Sequence, residues 1–165
     1  MNTENRIVKN NNLSVYLNDH FAGSVSALEL IDHLVESKAD AGLEAFLKNL
    51  RHEIQSDQDT LKKLMDHLGV TESRLKGATA WFMEKAGRIK LHTADENDLG
   101  LLESLEGIVL GITGKKGLWR AMSVVIQQED ALKEIDFNRL ETRACEQCKA
   151  VEAKRLEAAR RILAQ

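Results

Sequence analysis

Apolar residues recur every three or four positions along most of the chain, which predicts a series of long amphipathic helices. The first covers residues 13–37 with Asn12 as its cap. Its apolar stripe consists of Leu17, Phe21, Ser24, Leu28, Ile31 and Val35. The second covers residues 40–68, with Asp40 as the cap and Gly69 directly after its end. Asp is favoured at a helix N-cap and Gly just past a helix end, so the sequence marks both boundaries.

Three further periodic segments complete the chain. A third covers residues 71–92, and a fourth begins after the polar stretch 93–98. Glycines interrupt the fourth segment. Gly weakens a helix interior, so the run Gly-Lys-Lys-Gly at 114–117 leaves open whether the helix bends or breaks there. The last segment covers residues 134–164.

The chain is predicted to fold as an all-α, up-and-down four-helix bundle with a shorter fifth helical segment. It contains no proline, the residue that most often ends or kinks a helix. The sequence has no Asn-Gly or Asp-Gly turn of the kind that joins two strands, and the joints between segments are short, which favours antiparallel neighbours. We expect residues 1–165 to form one domain with a flexible N-terminal segment at 1–11.

Charge and composition narrow the class of partner. Lys and Arg number 23 against 26 Asp and Glu, a net charge of -3, so the chain lacks the basic footprint of a nucleic-acid-binding protein. No stretch approaches the roughly 18 consecutive apolar residues of a membrane span, and the N-terminus lacks the apolar core of a signal peptide. With only two cysteines, the chain is expected to be soluble and cytoplasmic, with neither nucleic acid nor membrane as a partner.

Polar residues on the apolar helix faces are the candidates for chemistry. Asp57 falls between Ile54 and Leu61, so an acid occupies a core position. A buried carboxylate costs several kcal/mol unless it is paired. If the inner faces meet, they form one polar layer of Asp32, Asp57, Glu106, Gln147 and Arg155. Three interpretations stay open: a network that fixes helix register, a ligand or metal site, or an error in the phase of one helix.

The order and length of these helices resemble the ferritin-like superfamily. The segments that carry the resemblance are LNDHFAGSVSALELIDHL (17–34), FLKNLRHEIQSDQDTLKKLMDHLG (46–69) and the long last helix. More narrowly, the chain is similar to small bacterial ferritin-like bundles that have no assigned activity. The resemblance implies a helical bundle that associates with itself, and the expected oligomer is a homodimer.

The superfamily's di-metal signature is missing from this sequence. Such sites take a Glu from each of two helices and a Glu-x-x-His from each of the other two. The chain has no Glu-x-x-His, and its five histidines all lie in the first three segments. We therefore expect a non-catalytic bundle without a cofactor, in which a buried polar network replaces the metal centre. The alternatives are a small-ligand pocket and a metal-binding oxidoreductase whose site consists of Asp32, Glu53, Asp57 and Glu106.

An aromatic and basic stripe on the third segment is a candidate interface. Trp81, Lys85 and Arg88 lie on one side of that helix, and Trp119 follows the glycine run. Trp and Arg are frequent interface anchors, so these residues are candidates for contact with a second copy of the chain. The competing interpretations are a solvated face for the stripe and closure of one bundle end by Trp119.

Two short motifs are interpreted as structural. Cys145 and Cys148 have the C-x-x-C spacing, but they lie about two to three turns inside the last segment, away from the helix N-terminus that lowers a redox thiol's pKa. A zinc site needs two more ligands, and no second pair or His lies nearby. The Gly-Lys-Lys-Gly run lacks the spacing and the preceding strand of a phosphate-binding loop.

Overall fold

The computed structural model describes residues 11–37, 40–72, 98–125, 132 and 134–164. These residues form four long helices and no strand, which confirms the all-α prediction for this part of the chain. The helices are α1 (Asn11–Glu36), α2 (Ala41–His67), α3 (Asp98–Val125) and α4 (Phe137–Leu163). None of the four is long and apolar enough to cross a membrane. The helix predicted over 71–92 falls outside the described residues beyond position 72.

The helix boundaries follow the predicted caps. Asp40 precedes α2, and its Oδ1 accepts hydrogen bonds from the backbone N–H groups of Gly42 and Leu43 at 3.0 and 2.9 Å. Gly69 follows α2 with a φ of 64°, a conformation that an L side chain rarely adopts. Helix α4 begins three residues later than its predicted start, because Asp136 caps it by accepting a hydrogen bond from the backbone of Arg139.

Helix α3 is continuous through residues 114–117, so it does not break at the glycine run, a point that the sequence left open. Buried residues flank the glycines on both sides, Ile112 before them and Leu118 and Met122 after them. An interior Gly is unfavourable by only about 1 kcal/mol relative to Ala. Burying a single large apolar side chain contributes about 1.5–3 kcal/mol, so packing outweighs the local preference.

The buried apolar side chains form two clusters, one at each end of the molecule. The first core contains Leu28, Ile31, Leu34, Leu47, Leu50, Ile54, Leu105, Ile108, Ile112, Ala144, Val151 and Ala158. The second core contains Leu13, Leu17, Leu61, Leu64, Met65, Leu68, Leu118, Trp119, Met122, Leu132 and Leu140. Each of the four helices contributes to both cores, so each runs from one end of the molecule to the other.

Membership of the two cores gives the helix directions. The N-terminal halves of α2 and α3 lie in the first core and their C-terminal halves in the second, so these two helices run in the same direction. Helices α1 and α4 run the opposite way. Helix α3 packs most extensively on α4, and α1 packs on α2 and then on α3. The boundary between the two cores therefore lies between Ile54 and Leu61 on α2, between Ile112 and Leu118 on α3, and between Leu140 and Ala144 on α4.

Candidate functional site

A polar network lies at the boundary between the two apolar cores. It consists of Glu53 and Asp57 of α2, Lys115 of α3, and Arg143 and Gln147 of α4. Asp57 is 2% exposed and Gln147 is 3% exposed, so the centre of the network is removed from water. The predicted core position of Asp57 is therefore confirmed.

Asp57 is the common acceptor of the network. Its Oδ2 lies 2.5 Å from Lys115 Nζ and 3.4 Å from Gln147 Nε2, and its Oδ1 accepts a hydrogen bond from Arg143 Nη2. Gln147 links the remaining members: its Oε1 accepts from Lys115 Nζ at 2.5 Å, and its Nε2 donates to Glu53 Oε2 at 3.0 Å. Two acids and two bases balance, so the buried carboxylate is compensated both in charge and in hydrogen bonds.

Two of the three N–H donors of the Lys115 ammonium group hold it in the network. Burial lowers the pKa of Lys115, and the neighbouring carboxylate of Asp57 opposes that effect by raising it. An ammonium carries three N–H donors. Two of them bond to Asp57 and Gln147, and the third has no acceptor among the residues that the structure describes.

The other three residues of the predicted layer lie elsewhere, so the single shared layer is corrected. Asp32 pairs with Arg51 of α2 at the surface, where their side chains are 44% and 40% exposed. Arg155 Nη1 donates to Glu106 at 3.0 Å, and Glu106 is half exposed. Arg155 lies eight residues beyond Gln147, which is about 12 Å along a helix, too far to share its level.

Sequence reasoning missed the two cations that pair with Asp57. Arg143 lies one turn before Gln147 and is therefore on nearly the same face of α4, which is the signal that could have identified it. Lys115 lies between Ile112 and Leu118 at helical spacing. Because the sequence left open whether α3 breaks at residues 114–117, Lys115 could not be assigned to a helix face.

A cavity of about 230 Å³ lies beside the network, between α1, α2 and α3. Small residues on two facing helices leave this space open: Gly23, Ser24 and Ala27 on α1, and Gly111 and Gly114 on α3. A Cβ atom added at Gly111 would meet nothing within 4 Å. The buried stripe of α1 is interrupted at the same place, since no residue between Asn18 and Leu28 is fully buried.

The cavity walls are mainly apolar, with polar groups at a few points. Asp57 and Lys115 of the network form part of the wall. Gln58 Nε2 donates to Ser24 Oγ at 2.9 Å, which ties α2 to α1 across one side. His20 lies edge-on to Tyr16, with ring centroids 4.6 Å apart, and burial lowers the pKa of His20. Its imidazole is therefore neutral near pH 7.

Trp119 closes one side of the cavity, and its burial corrects the prediction that it is an interface residue. Its side chain is 0% exposed, belongs to the second core and lies 6.3 Å from the ring of Phe137. The indole Nε1 has no acceptor among the described residues. The other predicted interface residues, Trp81, Lys85 and Arg88, lie outside the described part of the chain.

The structure describes both cysteines as free thiols in the interior of α4. Cys148 packs against the first core, and its Sγ lies 3.7 Å from Thr113 Oγ1. Within the described ranges, no group of three or more His, Cys, Asp or Glu side chains could hold a metal ion. The candidate functional site is therefore the cavity and the polar network beside it.

No protein-family model, curated protein or solved structure matches this chain. A functional assignment consequently depends on the chemistry of the cavity and its walls.

Proposed function

We propose that this chain is a non-catalytic helical bundle of ferritin-like type that binds a small molecule in the cavity between α1, α2 and α3. The observation that carries the proposal is the cavity itself: about 230 Å³ of space with mainly apolar walls and a few polar groups. Small-molecule sites in proteins combine mainly apolar walls with a few polar groups, and in helical bundles they lie between helices.

The polar network supports binding rather than metal chemistry. In a di-metal bundle, carboxylates on facing helices neutralise the ions. Here the positive charges of Lys115 and Arg143 already neutralise Glu53 and Asp57. The network thus acts in place of a metal centre, as a fixed polar wall whose side chains hold one another in position.

The proposal includes an up-and-down order of helices with a fifth segment. Because α2 and α3 run in the same direction, a returning helix between them, as predicted for residues 71–92, would restore the alternation. Self-association as a homodimer through Trp81, Lys85 and Arg88, and a cytoplasmic location, stay predictions from the sequence.

A pair of glycine variants on α3 tests the proposal. Gly111 lines the cavity, whereas Gly117 lies six residues further on, is exposed and does not line it. We expect naphthalene, an apolar probe of suitable size, to raise the melting temperature of the native chain and of Gly117→Leu. Gly111→Leu places a large side chain at the cavity and should abolish the shift, because ligand stabilisation requires binding to the folded state.

The glycine pair also separates the alternatives. Shifts of equal size in both variants would place the binding outside the cavity and contradict the proposal. No shift in the native chain would also contradict it. Close to two transition-metal ions bound per chain after reconstitution would support the metal-binding alternative instead.

A further inference from the structure

Helices α1 and α3 both line the cavity, and one contact between them gives their register. A Cβ atom built on Gly114 of α3 would lie 3.9 Å from Cε1 of His20 on α1. The two helices run in opposite directions, so one turn back along α3 corresponds to one turn forward along α1. Gly111 therefore lies opposite Gly23 and Ser24, and all three residues line the cavity.

The space between the two helices is unfilled at Gly111. A Cβ atom there would meet nothing within 4 Å, whereas carbon atoms in packed contact lie about 3.5–4.0 Å apart. Gly111 and Gly114 are three residues apart and so share a face of α3. The face that approaches α1 at Gly114 is therefore unfilled about one turn earlier, where α1 offers only the small side chains of Gly23 and Ser24.

The polar side chains beside this space already have hydrogen-bond partners. Ser24 Oγ donates to the carbonyl oxygen of Phe21 at 2.6 Å and accepts from Gln58 Nε2 at 2.9 Å. Asp57 and Lys115 pair with each other in the polar network. The rest of the wall is mainly apolar, so a ligand here is stabilised chiefly by contact with apolar surface.

The charges of the wall favour a neutral ligand. Lys115 is neutralised by Asp57, and burial lowers the pKa of His20 so that it is uncharged near pH 7, which leaves an anion without a cation to pair with in the described wall. Asp19 is partly exposed, so water solvates its carboxylate and a cation gains little there. An ion that entered the cavity would lose its own hydration without a compensating partner.

The volume of the cavity sets the size of the ligand. An apolar cavity of about 150 Å³ is known to hold benzene, which has six heavy atoms. A cavity of about 230 Å³ scales to about nine or ten heavy atoms, the size of two fused rings. The apolar side chains of Ile54, Leu61 and Leu118 in the wall suit the faces of such a ring system.

We propose that the cavity selects neutral, apolar molecules about the size of two fused rings, and that the absence of a side chain at Gly111 sets this size. The inference rests on the proposed function and adds to it the ligand class and the residue that determines it. A methyl group at position 111 would occupy part of the unfilled space without meeting a protein atom within 4 Å. It would therefore take space from the ligand and leave the packing of the helices unchanged.

Gly111→Ala and Gly117→Ala form a matched pair of variants for the size limit. Both replace a glycine of α3 by alanine, but Gly117 is exposed and does not line the cavity. We expect Gly111→Ala to lower the ratio of naphthalene to benzene association constants by about tenfold or more, since one methylene in an apolar pocket changes binding by that factor. Gly117→Ala should keep the native ratio. Equilibrium dialysis of the full chain against each probe measures the constants.

Probes of other sizes and charges test the inference on the native chain, without any substitution. Phenanthrene has one more fused ring than naphthalene and more apolar surface, yet it should bind more weakly because it exceeds the cavity. The ions 1-naphthoate and 1-naphthylmethylammonium should also bind more weakly than naphthalene. Tighter binding of phenanthrene would overturn the size limit, and tighter binding of either ion would overturn the neutral class.

The outcomes separate this inference from the proposed function. If naphthalene binds the native chain but its ratio to benzene is unchanged in Gly111→Ala, the role of Gly111 is overturned and the binding function stands. An equal fall of the ratio in Gly111→Ala and Gly117→Ala would also overturn that role. If naphthalene does not bind the native chain, the proposed function itself fails.

Discussion

At the scale of single residues, Asp57 is the side chain on which the middle of the bundle depends. It is almost fully buried and accepts hydrogen bonds from Lys115, Arg143 and Gln147, one on α3 and two on α4. Buried ion pairs contribute little net stability compared with apolar packing, but the loss of one partner leaves the other charge uncompensated. Asp57 therefore matters mainly because its removal would leave the charges of its partners uncompensated.

Replacing Asp57 by Asn should destabilise the protein strongly. The variant keeps the size of the side chain and removes its charge, so the buried Lys115 and the partly exposed Arg143 lose the carboxylate that pairs with both of them. We expect the free energy of unfolding, measured by urea titration, to fall by about 3–5 kcal/mol. Asp32→Asn is the matched control: its pair with Arg51 is exposed to solvent, so the loss should stay below about 1 kcal/mol.

Equal small losses in the two Asp variants would show that the network does not hold the middle of the bundle together. A rise in the free energy of unfolding for Asp57→Asn would contradict the account more strongly. It would mean that the desolvation of the carboxylate costs more free energy than its ion pairs and hydrogen bonds contribute.

At the scale of helices, the apolar periodicity predicted the fold class and most helix boundaries. It did not predict the cations that pair with Asp57, or the cavity. The stripe of α2, its Asp40 cap and its Gly69 end follow from local preferences that burial reinforces. The continuity of α3 does not, because it depends on packing against other helices, and Lys115 was missed with it. The cavity depends on small residues of α1 and α3 facing each other, which no single helix reveals.

The continuity of α3 makes Gly117 a site for stabilisation. Gly117 lies inside the helix, and a Cβ atom there would meet nothing within 4 Å. We expect Gly117→Ala to raise the free energy of unfolding by about 0.5–1 kcal/mol, since Ala loses less conformational entropy than Gly in a helix. Gly69→Ala is the control with the opposite sign, because its φ of 64° strains any residue with a Cβ. No gain at Gly117 would contradict an unbroken helix there.

At the scale of the whole molecule, the polar network lies at the boundary between the two apolar cores, and the cavity lies beside it. Helices α2 and α3 contribute to both the network and the cavity, and α1 completes the cavity with its small residues. A ligand in this space would contact three helices at the level where apolar packing is weakest. Binding should therefore stabilise the folded chain as a unit, which is why the melting temperature reports it.

The position of a bound probe tests the central claim most directly. Crystals of the full chain soaked with 2-bromonaphthalene should give an anomalous bromine peak between α1, α2 and α3, close to Ile54, Leu118 and Trp119. Crystals of Gly111→Leu should give none at that position, while those of Gly117→Leu should match the native chain. A bromine peak only elsewhere on the molecule, or the same peak in Gly111→Leu, would contradict a binding site in this cavity.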